Sequence, residues 1–155
     1  MAISPFQPAP VRALRELDRF TRQAPADALL TEAWLQLVET RVSQINGCAF
    51  CIDLHVKAAL DAGEDPQRLH ALPAWRGSSL FEEPLRAALE WAEALTGMDH
   101  AEIENSRARI RKHFDDEALV RLTYAIGAIN LWNRVAGAFQ VDHPRGMSAR
   151  IQTGA

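Results

Sequence analysis

The sequence predicts an all-α protein. Apolar residues recur at helical spacing over most of the chain, and no segment alternates apolar and polar residues with period two. The breaks between apolar segments carry helix start and stop signals: Asn46-Gly47, Gly63, Asp65-Pro66, Asp99 and Asp115. At 155 residues, with 48% apolar and 24% charged, the chain suits one domain with a core that needs no staples. A net charge of −3 gives no reason to expect a nucleic-acid partner.

Residues 1–10 carry three prolines and read as an extended arm. The first helix is predicted from Pro10 to Arg22, and the second from about Ala26 to Gln44 with Leu35, Val38, Val42 and Ile45 as its apolar stripe. Asn46-Gly47 breaks the chain. A third helix then covers Cys48 to Ala62 and stops at Gly63. Asp65-Pro66 opens a short helix to about His70. Residues 71–80 form the one long predicted loop. Further helices follow over Glu82–Leu95, from a capping-box-like Asp99-x-x-Glu102 to about His113, and from an Asp115 cap to about Phe139. The last, ALVRLTYAIGAINLWNRVAGAF, is apolar on most sides. Such a helix must be buried all round, at the centre of a bundle or in a homo-oligomer interface. We divide the chain into an arm with the first helix (1–25), a helical domain (26–142) and a C-terminal tail (143–155).

The chemistry concentrates in NGCAFCIDLH, residues 46–55. Cys48, Cys51 and His55 are spaced i, i+3, i+7 and fall within about 60° on a helical wheel. Ile52, Ala58, Ala59 and Ala62 share that face, so another helix can approach it closely. Asp53, Lys57 and Asp61 lie opposite, with Asp53 and Lys57 expected to pair. A Cys48–Cys51 staple would close a tiny loop and constrain little. Zinc wants a fourth ligand, and no second cysteine pair exists; His70, His100, His113 and His143 are isolated. Both features weaken the staple and zinc readings without removing them, and favour a redox pair or, as its plain alternative, two inert buried cysteines. At the first turn of a helix, Cys48 is favoured as a thiolate and is expected to be exposed to a reductant. His55 can pass a proton to or from a thiolate. A thiol, a resolving thiol and a proton carrier suit peroxide reduction through sulfenic acid and disulfide.

VSQINGCAFCIDLH is similar to the signature of the AhpD-like, carboxymuconolactone decarboxylase domain superfamily, on its alkylhydroperoxidase branch. RVSQINGCAFCIDLHVKAALDAGE, LRAALEWAEALT and LVRLTYAIGAINLWNRVAGAF resemble further blocks of small members, so the resemblance covers most of residues 26–140. It implies an all-helical bundle oligomerising through buried helices, as trimers or hexamers. It implies Cys51 as the peroxidatic nucleophile, Cys48 as its resolving partner and His55 in the proton relay. The relay usually includes a glutamate twelve residues before the first cysteine, where this chain has Gln36. Glu39 shares a wheel flank with Gln36 and Ser43 and is the candidate replacement for that carboxylate. The founding member has a histidine directly before its second cysteine; here it is Phe50. The decarboxylase branch usually lacks the CxxC pair, which counts against lactone decarboxylation.

The expected function is therefore a thiol-dependent peroxidase acting on a hydroperoxide, with catalytic residues Cys51, Cys48, His55 and Glu39. No metal and no cofactor are expected. With no nucleotide-binding loop, electrons must come from a thiol reductant or, as the family implies, a lipoyl-type partner protein. The alternatives are a general thiol–disulfide oxidoreductase or redox sensor, and a non-catalytic helical oligomer. No apolar run is long enough for a membrane span and the N-terminus has no secretory pattern, so a cytoplasmic location is expected. Asn130 and Asn133 are expected to satisfy polar groups at a helix crossing or to serve the site. Trp91 and Trp132 are expected in the core or an interface. RARIRKH, residues 107–113, reads as a solvated face, and His143 as an inert tail residue.

Overall fold

The computed structural model describes residues 6–23 and 29–143. The described residues contain helices and no strand, as the patterning predicts. Seven α-helices follow in order: α1 Pro8–Thr21, α2 Glu32–Ile45, α3 Ala49–Asp61, α4 Pro66–Ala71, α5 Glu83–Gly97, α6 His100–Ile110 and α7 Asp116–Ala138.

Most boundaries follow from caps. The Thr31 hydroxyl accepts the Trp34 N–H, so α2 begins at Glu32 rather than near Ala26, which lies outside the described residues. α1 begins at Pro8, two residues before the predicted start, because prolines fit a first turn whose N–H groups have no helical partner. Asp65, Asp99 and Asp115 cap α4, α6 and α7 as expected. The region expected to be a loop after α4 instead holds a 3₁₀ turn, Leu72–Gly77, that buries Leu72 and Trp75. The Trp75 indole donates to Glu93 on α5 (2.9 Å), which fixes the turn.

The centre of the molecule is α2, packed against α3, α5 and α7, while α1 lies along α7 and α6 along α5. Leu35, Val38 and Val42 are buried as predicted, but Ile45 at the helix end is exposed. Trp91 is buried and donates to Thr123 (3.0 Å). The cations of RARIRKH are exposed around a buried Ile110, and Arg107, Arg109 and Arg111 pair with Glu104, Glu90 and Asp116, a solvated face as expected.

Within one chain α7 is buried on one side only. Leu122, Ala125, Ile126 and Ile129 face the core. Val120, Tyr124 and Leu131 form an exposed row on the other side, with Tyr124 54% exposed and edge-on to Phe20. The ion pair expected between Asp53 and Lys57 is replaced. Lys57 pairs with Asp61 (2.9 Å), and Asp53 faces His143 (3.4 Å), so the tail histidine has a carboxylate beside it.

The turn joining α2 to α3 is built from few residues. Gly47 adopts φ +68°, which favours glycine, and closes α2 with Cys48 N–H bonded to the Ser43 carbonyl (3.0 Å). Asn46 Nδ2 donates to Asn130 Oδ1 (3.0 Å) and Asn133 Oδ1 (2.9 Å), and Asn133 Nδ2 donates to Ser43 Oγ (3.1 Å). The two asparagines of α7 thus pin the turn, which is the helix-crossing role. Asn133→Ala should lower the unfolding free energy by about 1–3 kcal/mol, because it strands buried polar partners. Urea denaturation measures this, and a change under about 0.5 kcal/mol would rule the crossing bonds out as a stabilising feature.

Candidate active site

Cys48 is the N-cap of α3, not its first helical residue. Its sulfur accepts the Cys51 backbone N–H (3.3 Å), so a thiolate formed there has a donor waiting and the positive end of the helix beside it. The two sulfurs are bonded to each other, with Cα atoms 5.3 Å apart. Both cysteines are covered, Cys51 at 2% exposure and Cys48 at 9%. The expected exposure of Cys48 is therefore not found; it packs with the apolar core of the bundle.

His55 lies one turn beyond Cys51 on α3, facing α2. Its Nδ1 is 2.7 Å from Gln36 Oε1 and 3.2 Å from Glu39 Oε2. Gln36 Nε2 donates to Glu32 Oε1 (2.6 Å). That contact orients the amide: a carboxylate only accepts, so the Gln36 NH2 faces Glu32 and its oxygen faces His55. Nδ1 then meets two acceptors and carries the hydrogen. In the neutral ring Nε2 keeps the free lone pair, as a proton acceptor requires.

Glu39 is the buried carboxylate of the site, 3% exposed. Arg22, at the C-cap of α1, donates through Nη2 to both Glu39 oxygens (3.0 and 2.8 Å) and through Nε to Glu32 (3.3 Å). Burial pushes the Glu39 carboxyl up, but the charges and hydrogen bonds of His55 and Arg22 override it and hold the group below the usual carboxylate range. Asp18, one turn before Arg22, goes the other way: burial raises it, against the pull of Arg22 and a hydrogen bond from Trp132.

These residues open on one cavity of ≈ 810 Å³. Cys51, His55, Gln36, Glu39, Asp18 and Arg22 all contribute to its lining, and Cys48 does not. Most of the wall is apolar, including Phe50, Leu54, Ile129 and Trp132. Phe50, which stands where the founding member has a histidine, is a wall residue here.

All four residues expected from the sequence, Cys48, Cys51, His55 and Glu39, thus meet on the α2–α3 pair. Sequence reading missed Arg22, Asp18 and the cavity role of Trp132. These come from α1 and α7, remote in the chain, and no local pattern marks them. Among the described residues no group of His, Cys, Asp or Glu is arranged to hold a metal ion, and none of the described helices is long and apolar enough to cross a membrane.

Fold and site together define an AhpD-like helical protein with a close cysteine pair at the start of one helix. The chain belongs to the carboxymuconolactone decarboxylase family, whose model matches residues 11–94. It is 34% identical to the uncharacterized protein YdfG of Bacillus subtilis over 86% of this chain and 90% of that protein. A solved structure from Agrobacterium tumefaciens superposes with a TM-score of 0.80 and 35% identity, covering 89% of this chain and 92% of that one. It is a protein of unknown function that has been likened to the antioxidant-defence protein AhpD. An uncharacterized peroxidase-related protein from Silicibacter sp. TM1040 superposes with a TM-score of 0.76 at 25% identity, covering 92% of this chain and 74% of that one.

Proposed function

We propose that the protein is a thiol-dependent peroxidase that reduces organic hydroperoxides. The observation that carries this reading is the apolar cavity that Cys51 and His55 both line, with Cys48 at bonding distance behind Cys51. The family also takes in decarboxylases, but that chemistry has no use for a bonded cysteine pair. His55 Nε2 takes the Cys51 thiol proton, and the thiolate attacks the terminal oxygen of the hydroperoxide. An S–O bond forms, the O–O bond breaks, and the departing alkoxide leaves as an alcohol with the His55 proton. Cys48 then attacks the sulfenic sulfur, forming the disulfide and releasing water. A dithiol reductant supplies two electrons and two protons to reset the pair.

Because both sulfurs are covered, a slender dithiol such as a lipoyl arm on a partner protein suits this reset better than a broad protein surface. The exposed row Val120, Tyr124 and Leu131 suits a homo-oligomer contact, and the family resemblance implies a trimer or hexamer. The reducing cytoplasm is the compartment in which such a cycle runs.

A cavity of ≈ 810 Å³ with mostly apolar walls favours substrates that fill it. With dithiothreitol as reductant, kcat/KM for cumene hydroperoxide should exceed that for hydrogen peroxide by about tenfold or more, since each buried methylene adds about 0.8 kcal/mol. Equal values would remove the assigned substrate preference. No consumption of either peroxide, with rapid exchange against a model disulfide, would favour a general oxidoreductase or sensor instead; thiols inert to labelling in the reduced protein would favour a non-catalytic module.

A further inference from the structure

We propose that the N-terminal helix is part of the catalytic apparatus, with Arg22 as a positioning residue that holds Glu39 against His55. The bonds at the site close into a ring. Arg22 joins Glu39, Glu39 meets His55 Nδ1, His55 meets Gln36, Gln36 donates to Glu32, and Glu32 returns to Arg22. Four members come from α2 and α3. The fifth comes from α1, and it is the only cation that closes the ring. Its remaining guanidinium nitrogen, Nη1, is held by the Asp18 carbonyl (3.4 Å) and the Thr21 hydroxyl (3.3 Å), so every nitrogen of the fork has a partner.

Charged groups face Glu39 and His55 from several elements. α1 brings Asp18 and Arg22, with Arg15 exposed on the cavity rim. α2 brings Glu32 and Gln36, and α3 brings the cysteines. α7 offers the cavity Ile129, Trp132 and Ala136, none charged, and the segment after it offers Asp142. Acids therefore outnumber cations, and Arg22 is the cation in hydrogen-bond contact with Glu39. Without it, a buried carboxylate would sit beside Asp18 and Glu32 with only His55 to answer it. Glu39 would then hold its proton to higher pH. A protonated Glu39 offers an O–H to Nδ1, where catalysis needs an acceptor, and the tautomer that leaves Nε2 free is no longer enforced. Arg22 acts through Glu39 and His55 and touches no reacting atom.

The kinetic arm of the test rests on the peroxidase reading; the thiol arm does not. In reduced protein carrying Cys48→Ser, the rate of Cys51 alkylation by iodoacetamide is followed against pH with Arg22 intact, Arg22→Lys and Arg22→Met. In parallel, kcat/KM for cumene hydroperoxide is followed against pH with both cysteines present. Arg22→Met should shift the acid limb of both profiles to higher pH by about one unit or more, and lower kcat/KM about 10–100-fold. Arg22→Lys, which keeps the charge but not the fork, should leave the limb in place and recover part of the rate. If Arg22→Met does not fold, Arg22→Gln replaces it; its amide still donates to Glu39, the charge is gone, and the same shift is expected. An unmoved alkylation limb would overturn the proposal even if the rate fell, since a purely structural role lowers rates without moving it. A moved alkylation limb in a protein that consumes no hydroperoxide would keep the role of Arg22 and remove the peroxidase reading.

Discussion

Cys51→Ser should abolish hydroperoxide turnover, by about a thousandfold or more, while the melting temperature of the reduced protein stays close to wild type. The side chain is small and covered, so serine fits the same space on α3. A serine hydroxyl is not ionised at neutral pH and attacks O–O bonds poorly. Cys48 cannot take over, because it does not reach the cavity that Cys51 lines. Cys48→Ser should fail differently. The first turnover proceeds, one oxygen is added at Cys51, and the sulfenic acid accumulates for want of a resolving thiol. Intact-protein mass spectrometry after one equivalent of hydroperoxide, beside a steady-state assay, reads both outcomes. Full activity in Cys51→Ser with a dead Cys48→Ser would reverse the assigned order of attack.

Glu39→Gln should lower kcat/KM about 10–100-fold, and Glu39→Ala should also cost about 1–3 kcal/mol of stability by taking the acceptor away from Arg22 Nη2 and His55 Nδ1. The pH dependence has a definite sign. The Glu39 carboxyl is held below the usual range when folded, burial notwithstanding. Its stabilising effect is therefore fully present above the unfolded value, about 4.3, and is lost as pH falls through the lower folded value. Asp18 has the opposite sign, because burial raises it: it weakens the fold at neutral pH and is relieved in acid. Urea midpoints followed from pH 7 down to about pH 3 separate the two. Glu39→Gln should flatten the acid loss of stability, and Asp18→Asn should steepen it. An identical acid dependence in wild type and Glu39→Gln would mean that the carboxylate is not held by Arg22 and His55 in solution.

The parts of this site legible in the sequence are those that neighbours on one helix determine. The shared face of Cys48, Cys51 and His55 follows from a spacing of i, i+3, i+7. Glu39 was visible as a flank residue near the apolar stripe, and its burial agrees with that position. Arg22 was not visible, because its role depends on where α1 docks, and the docking depends on packing against α7. The 3₁₀ turn at Leu72–Gly77 looks like loop in the sequence because it has no 3.6-residue period for a pattern to reveal. Lys57 sits four residues from both Asp53 and Asp61, so spacing allowed either pair. The structure pairs Lys57 with Asp61 and sets Asp53 beside His143, a contact no local pattern encodes.

Cys48 does three jobs at one point in the chain: its N–H closes α2, its sulfur caps α3, and the same sulfur is bonded to Cys51. The cap bond is present with the disulfide formed, and a free thiolate can accept it equally well. Oxidation and reduction should then leave the hairpin's backbone where it is, so each cycle proceeds without melting and rebuilding a helix end. Amide-exchange protection across residues 43–55 should accordingly be nearly the same in both oxidation states, with the scaffold stationary while electrons pass through it.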